Sequence, residues 1–157
     1  MCIRDRVSIT STLQLHDEVV RRAAQSDAVI QAAAPADCRP AHTADSKIKK
    51  TGEGMTLELT PNPDIAYELG RAKRPGQVLV IFAAETDHVL ENARGKLARK
   101  NADLVVANDV ARPDAGFAVD TNLVTLIGRD EVKELPLLKK AEVADRILDE
   151  VAARLEQ

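Results

Sequence analysis

Aromatic residues are nearly absent from this 157-residue chain, which has only Tyr67, Phe82 and Phe117. Its core must therefore be built from Val, Ile, Leu and Ala. It also lacks the stacking platforms that a single-stranded nucleic-acid binder uses. Cysteine is scarce: Cys2 and Cys38 make no disulfide framework and suit a reducing cytoplasm. Cys38 stands alone in a polar stretch and reads as incidental. No apolar run approaches the roughly 18 residues of a membrane span. The N-terminus has no apolar segment of the secretory type. Neither charge dominates, with 22 Lys+Arg against 25 Asp+Glu and a net charge of −3. These absences argue against a membrane protein, a secreted disulfide scaffold and a general nucleic-acid binder.

Familiar motifs are missing as well. There is no G-x-G-x-x-G, which disfavours a nicotinamide-dependent oxidoreductase, and no G-x-x-x-x-G-K-S/T phosphate loop. There is no H-E-x-x-H. His16, His42 and His88 are too scattered for a zinc site, and the sequence assigns no metal ligands.

What is present is 45% hydrophobic and 30% charged, the composition of one globular domain. The first six residues fit no later pattern and read as a foreign leader. Residues 7–10 are β-rich and lead into a helix carrying Leu15, Val19, Val20 and Ala23 on one face. Residues 28–34 form an apolar run of the kind expected of a buried parallel strand. Residues 35–54 are polar and long, and read as a flexible flap. Residues 55–59 alternate like a strand, and Pro61-Asn62-Pro63-Asp64 opens a helix through Gly70. Residues 77–83 are the clearest buried strand. A helix over 86–101 and a short strand over 104–107 follow. Residues 117–127 and 132–137 flank Gly128-Arg129-Asp130 as a hairpin. Residues 141–155 form an amphipathic closing helix. The alternation predicts an α/β fold: a Rossmann-like, mainly parallel sheet with helices on both faces and an antiparallel C-terminal hairpin.

In open sheets of this type, ligands bind beyond the carboxyl ends of the strands. Three sets of residues land there: 32–37, 82–86, and Asn108 with Asp109. Asp37 suits a ribose or a cation, or is simply a turn residue. Phe82 suits a base, or belongs to the core. Asn108-Asp109 suits the ligand end of its strand, or is again a turn. In the helix that follows Phe82, Val89, Ala93, Lys96 and Lys100 share one stripe. Either an anion sits between the two lysines, or their stems snorkel and their heads are solvated. Lys47-Ile48-Lys49-Lys50 lies in the flap, where a lysine point charge could close over a polyphosphate. Residue chemistry alone thus points to a nucleotide or phosphate site beside the sheet.

Six ordered motifs resemble one family. Ala33-Ala34-Pro35-Ala36-Asp37-Cys38-Arg39-Pro40 resembles A-A-V-A-D-aromatic-R-P, and Lys47-Ile48-Lys49-Lys50 matches K-I-K-K. Asn62-Pro63-Asp64-Ile65 matches T/N-P-D-I, and Val80-Ile81-Phe82-Ala83-Ala84-Glu85-Thr86 matches V-G-F-A-A-E-T. Lys96-Leu97-Ala98-Arg99-Lys100 matches K-L-x-x-K and runs on to Asp103-Leu104-Val105-Val106-Ala107-Asn108. Gly116-Phe117, Asp120 and Asn122 match G-F-x-x-D-x-N. Pro35, Cys38 and Ile81 depart from the pattern. The chain resembles phosphopantothenate–cysteine ligase, the C-terminal part of a bifunctional bacterial protein of coenzyme A biosynthesis. The N-terminal part of that protein is a flavin-dependent decarboxylase. The family's first strand and a Gly-rich segment, I-T-N-x-S-S-G-x-M-G, have no counterpart. Residues 7–157 thus resemble roughly the last two thirds of a ligase domain.

The resemblance implies a mechanism. The carboxylate of 4′-phosphopantothenate attacks the α-phosphate of CTP with Mg²⁺ assistance, and pyrophosphate leaves. The amine of L-cysteine then attacks the acyl-cytidylate and releases CMP. It also implies site residues. Gln31, Ala32, Ala33 and Asp37 would contact the nucleotide. Lys47 would approach the phosphates and the reacting acyl group as the catalytic residue. Asn62, Pro63, Asp64, Ile65 and Phe82 would line the pocket, and Lys96 and Lys100 would complete it. FMN would serve only the absent decarboxylase part. Residues 117–137 would form a homodimer interface, within a larger oligomer in the full-length fusion. The missing segment implies weak or no activity for these 157 residues alone. A non-catalytic nucleotide-binding module and an inactive fragment are the alternatives.

Overall fold

A computed structural model describes residues 5–49, 52, 54–85, 88–109 and 119–156. The elements, in chain order, are α1 (Thr12–Ala23), β1 (Ala28–Gln31), β2 (Cys38–Pro40), β3 (Leu59–Pro61), α2 (Ile65–Ala72), β4 (Val78–Glu85) and α3 (Val89–Arg99). There follow β5 (Leu104–Asp109), β6 (Thr121–Asn122), β7 (Val124–Ile127), β8 (Val132–Glu134), β9 (Leu138–Lys139) and α4 (Lys140–Leu155). The main sheet has the order β1-β4-β5-β7-β8. Strands β1, β4 and β5 are parallel, and β7 and β8 join antiparallel. This is the Rossmann-like sheet with a C-terminal hairpin that the sequence predicts.

Strand β4 explains why the sheet is covered on both faces. Its side chains alternate, and both sets are apolar. Leu79, Ile81 and Ala83 face a layer built by α1, α2 and α3, with Ile65, Leu69, Ala93 and Leu97 buried in it. Val78, Val80 and Phe82 face α4, whose Val143, Ile147 and Val151 repeat at helical spacing. Helix α4 starts where Lys139 N–H donates to the Glu142 carboxylate at 2.9 Å. Helix α1 starts where Gln14 N–H donates to Ser11 Oγ at 3.2 Å.

Several boundaries differ from expectation. Residues 7–10 are not a strand. Thr10 N–H and Oγ1 both donate to Gln14 Oε1, which folds this segment onto the start of α1. Strand β1 stops at Gln31, because its register with β4 ends there, and residues 32–34 leave the sheet. It lies at the edge of the sheet, so Ile30 stays 39% exposed. The strand expected over 55–59 begins only at Leu59 and runs to Pro61, while Met55 and Leu57 are exposed without partners in a ladder. Residues 35–54 are not structureless throughout, since β2 pairs antiparallel with β3. The strand expected over 117–127 is two strands: β6 pairs with β9, and β7 pairs with β5 and β8. Lys50, Thr86, Gly116 and Phe117, each part of a motif above, lie outside the described residues. No helix among the described residues is long and apolar enough to cross a membrane.

Candidate functional site

A cavity of about 260 Å³ opens at the carboxyl ends of β1, β4 and β5. Three chain segments bound it. The exit of β1, residues 31–37, supplies Gln31, four alanines, Pro35 and Asp37. The entry to α2 supplies Asn62, Pro63, Asp64 and Ile65. The sheet and the end of α3 supply Phe82, Ala83, Ala84, Asn108 and Lys100. The small residues leave backbone accessible along one wall, as close approach to a ligand requires.

Asn62 ties two of these segments together. Its Nδ2 donates to the Ala36 carbonyl at 2.8 Å, and its backbone N–H donates to the Asp37 carbonyl at 2.8 Å. Its Oδ1 accepts from Arg39 Nη1 at 3.1 Å, and the same nitrogen donates to the Pro61 carbonyl at 2.7 Å. The 32–37 wall is therefore fixed to the β3–α2 junction at its C-terminal end, by one side-chain and one backbone hydrogen bond from Asn62 beside the β2–β3 ladder. Asp64 caps α2, accepting from Tyr67 N–H at 3.1 Å. It also pairs with Lys100 Nζ at 3.1 Å.

Lys100 is held from behind. It follows α3 directly, and its carbonyl oxygen lies against Gly70, where a Cβ would sit only 1.7 Å from it. Asn101, at a positive φ of 46°, donates from Nδ2 to the Gly70 carbonyl at 2.9 Å. Lys73 Nζ then donates to the Asn101 carbonyl at 2.9 Å and to Asp103 at 2.6 Å. Asp103 in turn accepts from Leu79 N–H at 2.7 Å. This network locks the turn after α3 to α2 and β4, and it directs Lys100 into the cavity.

Ten of the sequence-predicted residues line this one cavity: Gln31, Ala32, Ala33, Asp37, Asn62, Pro63, Asp64, Ile65, Phe82 and Lys100. Lys96 and Lys47 do not. Lys96 lies half-buried one turn earlier on α3, and Lys47 lies exposed in the coil between β2 and β3. The stripe read as apolar then basic is a core stripe at Ala93, fully buried, and its last lysine pairs with Asp64. Asn108, placed by the sequence at the ligand end of a strand or in a turn, sits inside β5, lines the cavity and is 9% exposed. The signal for it was available: a polar residue directly after the apolar run Leu104–Ala107. Arg39 and Lys73 carry no sequence signal of their long-range roles, because those depend on the packing of distant segments.

Lys100 is the lysine in the lining, and its partner Asp64 is half exposed. The cavity thus presents a cation, an aromatic face, two acidic wall residues, Asp37 and Asp64, and two amide side chains with a buried oxygen each. Those oxygens, Gln31 Oε1 and Asn108 Oδ1, have no hydrogen-bond partner among the described residues. No group of three or more His, Cys, Asp or Glu among the described residues could hold a metal ion.

Residues 3–155 match the family described as the DNA/pantothenate metabolism flavoprotein C-terminal domain. The chain is 46% identical over 152 residues to the coenzyme A biosynthesis bifunctional protein CoaBC of Bacillus subtilis, covering 96% of this chain and 37% of that protein. It superposes with a TM-score of 0.77 on the crystal structure of the C-terminal domain of a CoaBC protein, at 38% identity, covering 96% of this chain and 65% of that one. A solved Cab2 mutant in complex with phosphopantothenate-cysteine shares the fold alone, at 19% identity and a TM-score of 0.71, over 96% of this chain and 52% of that one. The chain spans little more than a third of the length of that Bacillus subtilis protein. With the matched family running over almost all of its length, the chain belongs to the family of the DNA/pantothenate metabolism flavoprotein C-terminal domain.

Proposed function

We propose that this chain carries the nucleotide site of a CTP-dependent phosphopantothenate–cysteine ligase of coenzyme A biosynthesis. The observation that carries the proposal is the convergence of ten expected site residues, from segments distant in sequence, on one cavity at the carboxyl ends of the parallel strands. Kinship with CoaBC proteins, and the phosphopantothenate-cysteine bound to a protein of the same fold, support the same reading.

The chemistry assigns roles. A carboxylate is a poor acyl donor because attack by an amine would have to expel oxide. Transfer of a cytidylyl group to it turns that oxide into CMP, a competent leaving group. The bond from the α-phosphorus to the bridging oxygen breaks as the carboxylate oxygen bonds to phosphorus, and pyrophosphate departs. Cysteine's amine then bonds to the carbonyl carbon, and the bond to the CMP oxygen breaks. Phe82 offers an apolar face to the base, Asp37 a hydrogen-bond acceptor to the ribose, and Lys100 a point charge to the phosphates. Mg²⁺ would enter bound to CTP and offset charge on the leaving pyrophosphate; Asp37, the wall carboxylate not paired with Lys100, would be its protein ligand in place of a ribose contact. Lys47, exposed between β2 and β3, reaches the phosphates when that segment closes over the ligand, and Lys96 supplies a second charge along α3. The exposed Val132 and Leu137 of the hairpin region suit a homodimer contact.

Thermal unfolding with and without CTP and Mg²⁺ tests the site. A ligand that binds only the folded state adds about 2.7 kcal/mol of stability at 100 times its dissociation constant. A midpoint raised by Mg–CTP, but not by NADH, is the expected result. CMP release that requires both phosphopantothenate and cysteine then separates a ligase from a nucleotide-binding module. No shift with Mg–CTP would overturn the reading.

A further inference from the structure

The amide of Asn62 is held in one orientation by its two neighbours. A terminal amide torsion is roughly two-fold, so the side chain alone does not choose between Oδ1 and Nδ2. The partners choose. The Arg39 guanidinium only donates, and its Nη1 lies 3.1 Å from Asn62 Oδ1. The Ala36 carbonyl only accepts, and it lies 2.8 Å from Asn62 Nδ2. Turning the amide over would set oxygen against oxygen at Ala36 and donor against donor at Arg39. The two bonds therefore form together and are lost together.

Arg39 is itself anchored on its own side of the junction. It sits in β2 opposite Thr60 of β3, and the same Nη1 donates to the Pro61 carbonyl at 2.7 Å. One nitrogen thus joins the backbone at the end of β3 to the side chain of the next residue. Arg39 is not among the residues that line the cavity, whereas Ala36, Asp37 and Asn62 are. None of these residues belongs to the buried clusters that hold the sheet to its helices. Arg39 therefore stands one step behind the cavity wall, with its hydrogen bonds spent on the residue that holds that wall.

We propose that Arg39 is a positioning residue for the ligand site: it fixes the way Asn62 faces Ala36, and so keeps Ala36 and Asp37 where a ligand meets them. The inference rests on the nucleotide reading of the cavity. In this role Arg39 touches no ligand, and its effect on affinity passes entirely through Asn62. A double-mutant cycle reads that coupling directly. With Arg39 gone, one neutral hydrogen bond orients the amide, at a partly exposed junction where water competes for both its ends. Losing a hydrogen bond of this kind corresponds to roughly two- to tenfold in affinity.

The test measures Mg–CTP dissociation constants for the wild-type chain, Arg39→Met, Asn62→Ala and the double variant, with Arg39→Lys as the rescue. Arg39→Met is expected to weaken binding by that amount when Asn62 is present and to cost nothing further when Asn62 is already Ala. Arg39→Lys is expected to recover part of the loss, because a single donor nitrogen serves both acceptors. In the ligand-free chain, Arg39→Met is expected to quicken hydrogen exchange at Ala36 and Asp37 and to leave β4 and β5 unchanged. An Arg39→Met chain that binds as the wild type does overturns the proposal. So does a loss of equal size in both backgrounds, since Arg39 would then act on the ligand itself or through Pro61. Faster exchange across β4 and β5 assigns Arg39 to the scaffold, with the same result. A wild type that binds no Mg–CTP overturns the nucleotide reading and the proposal with it, whereas a wild type that binds and a cycle without coupling overturn the proposal alone.

Discussion

Lys100 Nζ lies 3.1 Å from Asp64 Oδ1, and this pair joins the end of α3 to the first turn of α2 across the candidate nucleotide cavity. Asp64 serves two partners at once, the lysine and the Tyr67 amide that it caps. The two functions separate under mutation. Asp64→Ala removes a cap worth about 1 kcal/mol, so the melting midpoint should fall by a few degrees. The same change frees the Lys100 charge for an anion, so Mg–CTP affinity should hold or rise. Lys100→Met should do the reverse, losing about tenfold or more in affinity with a smaller effect on the midpoint. Calorimetric binding alongside thermal melts checks both. Parallel losses of affinity and stability in the two variants would refute the assignment of Lys100 to the ligand.

Gly70 supports that pair from behind. An added Cβ would lie 1.7 Å from the Lys100 carbonyl oxygen, which is backbone and cannot rotate away. Gly70→Ala must therefore push α2 away from the turn after α3. It also strains the bond from Asn101 Nδ2 to the Gly70 carbonyl. Overpacking of this kind costs about 1–3 kcal/mol. At about 2–4 °C per kcal/mol for a chain of this size, the midpoint should drop by about 2–12 °C. Gly54 is the control: a methyl group added there would meet nothing described within 4 Å, so Gly54→Ala should leave the midpoint unchanged.

The sheet was legible in the sequence because its evidence is local. Residues 78–83 are apolar on both alternating faces, and only a strand covered on both sides tolerates that. The cavity was legible because small residues follow β1 and sit near the end of β4, and polar helix-entry residues follow β3 directly in the chain. The misplaced pieces depend on non-local pairing. Residues 7–10 have β-rich composition, yet Gln14 captures Thr10 before any strand partner does. The pairing of Cys38–Pro40 with Leu59–Pro61 spans a long connection that composition does not announce. Asn108 reads as the ligand end of a strand or as a turn residue because the apolar run Leu104–Ala107 ends just before it. The strand continues because Ala84 and Val124 offer it ladder partners on both sides.

Stability should also respond to pH through His16, which docks α1 on α2. Its Nε2 lies 2.8 Å from Glu68 Oε2, and its Nδ1 lies 2.9 Å from Asp17 Oδ1. The hydrogen bond to Glu68, and then that to Asp17, raise its pKa above the ordinary value of about 6.5. A folded pKa above the unfolded one means that the protonated form stabilises the fold. That contribution is complete below the ordinary value and is lost as pH rises through the raised one. The midpoint of the wild type minus that of His16→Gln should therefore be largest under mildly acidic conditions and shrink as the solution becomes alkaline. A difference that is flat across that range would show that the ring is held by packing alone.

Asn62 gives the sharpest separation of site from scaffold. Its amide bonds Ala36 and Arg39, and neither partner belongs to the buried clusters that hold the sheet to its helices. Removing the side chain in Asn62→Ala deletes two hydrogen bonds at a net cost of about 0.5–1.5 kcal/mol each, felt at a partly exposed loop junction. The core is untouched, so the loss should appear as local opening of residues 32–37 rather than as a large fall in the global midpoint. Hydrogen exchange should accelerate in that wall and at Arg39, with β4 and β5 unchanged. Mg–CTP affinity should fall by about tenfold, because the wall must be reordered on binding. Asn62→Asp keeps the acceptor for Arg39 but loses the donor to Ala36, so it should loosen the wall while keeping Arg39 in place. If Asn62→Ala instead accelerated exchange across the whole sheet, the Asn62 junction would belong to the scaffold, and the cavity wall would not be an independent, ligand-facing unit.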